Sequence, residues 1–194
     1  MHRRYLAPLL LLAPGIAAAH SPMQGIGHFY GGILHPVLVP SHLLALLALG
    51  LLVGQRGVRA MQIVYPCFLV ALLMGLTRAG FSTAAPAGTE PVLLLIAGCC
   101  GLLAALAIPV PRVALALAAL LGAFVVGADS GVENLNRQET FGALFGAGVG
   151  ACIVLIVVAG LAEMPRRDWQ RIMVRILGSW CAASAALVLA LALR

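Results

Sequence analysis

The chain has 194 residues, of which 62% are hydrophobic and 9% charged, and its mean hydropathy is +1.07. No soluble domain of this length hides so much apolar surface, so the composition excludes a soluble globular protein and predicts an all-α polytopic membrane protein embedded in a lipid bilayer. The formal charge of +6 comes from twelve basic residues, all arginine, which lie at the ends of apolar runs and so report topology rather than nucleic acid.

The chain begins with the marks of an export signal. His2-Arg3-Arg4 is positive, residues 6–16 are an apolar stretch of 11, and Ala17-Ala18-Ala19 supplies the small residues that signal peptidase accepts. A transmembrane helix needs about 20 apolar residues, so this stretch is better suited to removal than to spanning. Residues 1–19 are therefore expected to be a cleaved signal peptide, with an uncleaved anchor as the alternative. N-terminal sequencing of the purified protein should begin at His20; a retained Met1 would overturn the expectation.

Residues 20–194 then form one transmembrane domain of six predicted helices, within 29–53, 61–76, 91–108, 113–128, 141–162 and 172–193. The connections are short, as in a compact helical bundle. With the mature N-terminus outside, the inner loops carry Arg56, Arg59, Arg112, Arg166, Arg167, Arg171 and Arg175, against Arg78, Arg137 and Arg194 outside. That bias is the one that positive-inside topology requires, and it predicts a bacterial inner (cytoplasmic) membrane protein with both mature termini outside. Glu90, Asp129, Glu133 and Glu139 also fall on the outer side. An outer mouth that combines carboxylates with histidines would attract a divalent cation.

The histidines are the chemical signal. After the signal peptide only His20, His28, His35 and His42 remain, and the last three are spaced by seven. Neutral imidazole is the commonest protein metal ligand, and it titrates near physiological pH. On a straight helix, positions seven apart share a face but stand about 10.5 Å apart along the axis. Bonds of about 2 Å cannot bridge that gap, so an unbroken helix would make a ladder of separate sites. Pro36 and Pro40 lie between and beside the last two histidines. On the prolines alone the plain reading is a kink at the outer end of an ordinary helix; a true break would free carbonyls and let His35 approach His42. His20, once exposed by cleavage, offers its α-amine and its ring together, a nitrogen-rich pair that suits nickel or copper.

Other features point to packing. Gly142, Gly146 and Gly150 recur every four residues, the small-residue pattern that lets membrane helices approach closely. Cys67, Cys99, Cys100, Cys152 and Cys181 lie in apolar spans without CxxC spacing and are expected to behave as small buried hydrophobes. No nucleotide loop, serine nucleophile motif or haem attachment sequence is present, so the sequence does not predict an enzyme.

Residues 20–23 (His-Ser-Pro-Met), 27–29 (Gly-His-Phe), 32–36 (Gly-Ile-Leu-His-Pro) and 41–50 (Ser-His-Leu-Leu-Ala-Leu-Leu-Ala-Leu-Gly) resemble the HupE/UreJ family of small membrane proteins linked to hydrogenase and urease maturation. The resemblance implies binding and transport of nickel or cobalt (Ni2+ or Co2+) as the handled ion, with no firm cofactor otherwise, and hydrogenase or urease maturation proteins as partners. The alternative is a non-transporting membrane accessory or scaffold that binds metal or a partner protein. Self-association into a homo-oligomer stays open. The candidate metal residues are His20, His28, His35 and His42, together with Glu90 and Glu133. Glu90 before Pro91 resembles the acidic start of the family's third span. Residues 126–133 resemble a later family segment in which Gly127, Gly131 and Glu133 persist but both histidines are absent. Ser41 stands where the family usually has Asp before the second histidine, so His42 is expected to lack that carboxylate.

Overall fold

The computed structural model describes residues 27–82, 86–132 and 135–192. The expected signal peptide (residues 1–19), His20 and Glu133 lie outside the described residues. Within them the chain forms seven helices and no strand: α1 (His28–Leu38), α2 (Pro40–Gly54), α3 (Val58–Phe81), α4 (Thr89–Leu106), α5 (Arg112–Asp129), α6 (Arg137–Glu163) and α7 (Asp168–Ala192).

Helices α3 to α7 are 18 to 27 residues long, with mean hydropathy of 1.8 to 2.6 over their most apolar stretch, which suffices to cross a membrane. Their positions agree with the last five predicted helices to within a few residues. The first predicted helix is corrected: residues 29–53 form two helices that meet at a 69° bend. The cause is local. Pro40 offers no N–H and is preset for the first position of a helix, so it starts α2 rather than continuing α1. It also drives Val39 out of the helical region, to φ −87 and ψ 112. The protein is therefore a multi-pass membrane protein, with five candidate spans among the described residues, or six if the bent pair is one span.

Helix α2 has 15 residues, a rise of about 22 Å against the roughly 30 Å of a hydrocarbon core. Eleven of these residues are buried, so this helix runs through the interior, where a helix can be apolar on every side. The outer helices present large apolar residues outward, among them Phe145, Leu161, Trp180 and Leu187, as a lipid-facing surface requires. Cys100 and Cys181 are buried as expected, whereas Cys99 is exposed on α4.

Lipid is as apolar as leucine, so helices in it associate through close contact rather than through exclusion of water. Here the contacts are backbone to backbone. An ideal β-carbon at Gly146 of α6 would fall 2.1 Å from the Phe29 carbonyl oxygen of α1, and one at Gly150 would fall 2.2 Å from that of Ile33. Gly142, the third member of the predicted stripe, has nothing within 4 Å. Gly75 and Gly127 bring α3 against α5 in the same manner, as Gly101 and Gly178 do for α4 and α7. Between α2 and α3 the chain turns through Gly57 at φ 76, a left-handed value that a β-carbon disfavours. A capping box fixes the start of α6, with the Asn136 side chain and Glu139 each bonding the other's backbone N–H.

Candidate metal site

The break at Val39 places His35 on the last turn of α1 and His42 on the first turn of α2. A continuous helix would hold them about 10.5 Å apart along its axis; across the bend their ring centroids are 5.2 Å apart, edge to face at 78°. The two histidines that the sequence spaces as a ladder thus become neighbours.

His42 is fully buried. Its Nε2 lies 2.9 Å from Oδ2 of Asp129, the last residue of α5. The other carboxylate oxygen of Asp129 accepts a hydrogen bond from the hydroxyl of Thr89, the first residue of α4. A carboxylate at a helix C-terminus faces the negative end of that helix's dipole, an unfavourable placement by about 0.3–1 kcal/mol. The imidazole, the Thr89 hydroxyl and the first turn of α4 offset it. One site is therefore assembled from the α1–α2 break, the start of α4 and the end of α5.

The remaining ring nitrogen of His42 gives the arrangement its chemistry. His42 Nδ1 is buried and has no hydrogen-bond partner among the described residues. When Nε2–H donates to Asp129, the neutral ring leaves a lone pair on Nδ1. A carboxylate holding one nitrogen of an imidazole, with the other nitrogen free to ligate, is the usual setting of a metal-binding histidine. Leaving such an atom buried and unmatched otherwise costs about 1–3 kcal/mol.

The other candidates are distributed more loosely. His28 opens α1, and its Nε2 lies 3.5 Å from Oε1 of Glu139 with both side chains about one-third exposed. Helix α1 is continuous between His28 and His35, so those two stay about 10.5 Å apart, as separate stations. Glu90 is exposed in the first turn of α4 and makes no hydrogen bond or ion pair among the described residues. His20 and Glu133 fall outside the described residues. No three His, Cys, Asp or Glu among the described residues are gathered closely enough to hold a metal by themselves.

Two readings of the sequence change. Asp129 counted there only as one of four outer acids, although a carboxylate closing an apolar span is a signal in itself. Ser41 was expected to leave His42 without a carboxylate partner; instead Asp129 supplies one from α5, 87 positions away in the chain.

The sequence profile described as HupE / UreJ protein matches residues 8–189. The chain is 26% identical to Protein HupE of Rhizobium leguminosarum bv. viciae over 179 residues, covering 92% of this chain and 93% of that relative. No solved structure matches the chain significantly. The profile runs from residue 8 to the last helix, and it establishes that the chain belongs to the HupE/UreJ family.

Proposed function

We propose that this protein binds a divalent transition metal ion, nickel or cobalt, and carries it across the bacterial inner membrane in support of hydrogenase or urease maturation. The observation that carries the reading is His42: fully buried, held at Nε2 by Asp129, unmatched at Nδ1 and 5.2 Å from the His35 ring. Nitrogen donors suit nickel and cobalt, and family membership supports the accessory role. In this scheme His20, Glu90 and Glu133 gather the ion at the outer mouth. His28 with Glu139 receives it, and His35 with His42 passes it into the bundle. Two imidazoles are an incomplete ligand set, which suits an ion that keeps some water and must leave again.

Cells carrying His35→Ala or His42→Ala should lose metal-dependent accumulation. Unchanged uptake in both variants would end the transport reading. Flux of nickel and cobalt into liposomes that contain the purified protein separates carrier from scaffold: binding without flux would favour the non-transporting accessory.

A further inference from the structure

The end of the bundle opposite His42 holds a cavity of about 380 Å³ where α2, α4 and α6 end and α7 begins. Arg56, Arg166, Arg171 and Arg175 line it, with Glu163 the one acid. Positive-inside topology asks only for arginines near this surface. It does not ask that four of them, from three separate segments, surround one cavity while Arg59, Arg112 and Arg167 at the same end stand apart from it.

Helix capping accounts for part of the cluster. Helix α4 is capped by Ala107 in the left-handed region, φ 55, which leaves its last carbonyls outside the regular ladder. Gln55 Nε2 donates to the Ala104 oxygen, Arg175 Nε to that of Ala105, and Arg56 to that of Ile108. Each guanidinium carries five N–H donors, so one such bond leaves most of them unspent. Arg56 Nε is buried without a partner among the described residues. Arg166 reaches the carbonyl and, at 3.7 Å, the carboxylate of Glu163. The exposed Arg171 side chain makes no hydrogen bond among the described residues. Capping therefore leaves a cavity wall with surplus positive charge and free donors.

We propose that this cavity binds the phosphate of an anionic phospholipid head group. Guanidinium forks match phosphate oxygens in pairs, and basic pockets between transmembrane helices are suited to anionic head groups. The volume falls within the roughly 300–1,000 Å³ common for small ligands. The level in the membrane also fits: the cavity lies where three helices end and a fourth begins, and Trp169, exposed at the start of α7, marks the interfacial belt. The occupied cavity joins α7 to α2 and α4 through a shared counter-ion.

Native mass spectrometry of the delipidated full chain, titrated with phosphatidylglycerol or phosphatidylcholine in mixed micelles, tests the assignment. Phosphatidylglycerol should be retained at least tenfold better than phosphatidylcholine. R171Q and R166Q should each reduce that retention severalfold, and both side chains are exposed, so helicity by circular dichroism should not change. R112Q, an arginine at the same end outside the cavity, should bind as the parent does. Equal retention of the two lipids, or an equal loss in R112Q, would overturn the proposal. Displacement of the lipid by millimolar inorganic phosphate would assign the cavity to free oxyanions instead.

Discussion

Asp129→Ala should lower metal accumulation about 10- to 100-fold, the range found when a carboxylate that orients a metal-binding histidine is removed. It should also destabilise the protein by about 1–3 kcal/mol, because His42 is fully buried and Asp129 is its hydrogen-bond partner. The two effects separate in a double variant. In His42→Ala/Asp129→Ala the imidazole that lost its carboxylate is itself gone, so thermal unfolding in detergent should recover part of the loss seen in Asp129→Ala while uptake stays absent. Asp129→Asn, which keeps an acceptor without the charge, should retain more stability than activity. If Asp129→Ala melts and transports like the parent, the contact is incidental and the site is misassigned.

Gly146→Val should be among the most damaging single changes outside the site. A β-carbon there meets the Phe29 carbonyl oxygen at 2.1 Å and the Ile33 nitrogen at 3.0 Å. Both are backbone atoms of α1, which cannot rotate aside as a side chain can. Overpacking of this kind costs about 1–3 kcal/mol and occasionally more; relief requires α1 to move away from α6. Because α1 carries His28 and His35, that movement should reduce metal accumulation together with the melting temperature. Gly142→Val, one turn earlier with nothing within 4 Å, should be close to neutral in both assays. Equal behaviour of the two variants would show that α1 is not held by this contact.

Several parts of the architecture were legible in the sequence. Apolar runs of 18 or more residues in a chain with 9% charge leave few options beyond helices in a bilayer, since every backbone polar group must be satisfied within the span. The four-residue spacing of Gly146 and Gly150 announced a close helix contact, but not that α1 makes it and that Gly142 stands outside it. The histidines and Pro40 were equally visible. Their spacing set the condition correctly: His35 and His42 could meet only through a break.

The depth of that break and the partner it reveals belong to the tertiary structure. Proline removes one donor and restricts its neighbour, which permits either a kink or a sharp turn. The packing of α1 on α6 and of α2 in the interior selects the 69° bend. Asp129 was hidden for a related reason. A carboxylate at the end of an apolar run looks the same in sequence whether it faces water or a buried imidazole. Only the convergence of α2, α4 and α5 brings it to His42 across 87 positions. By itself the sequence determined the all-helical, membrane-spanning class and the places of the last five helices, because those follow from local composition and period. Which imidazole meets which carboxylate was decided by long-range packing, which no local pattern records.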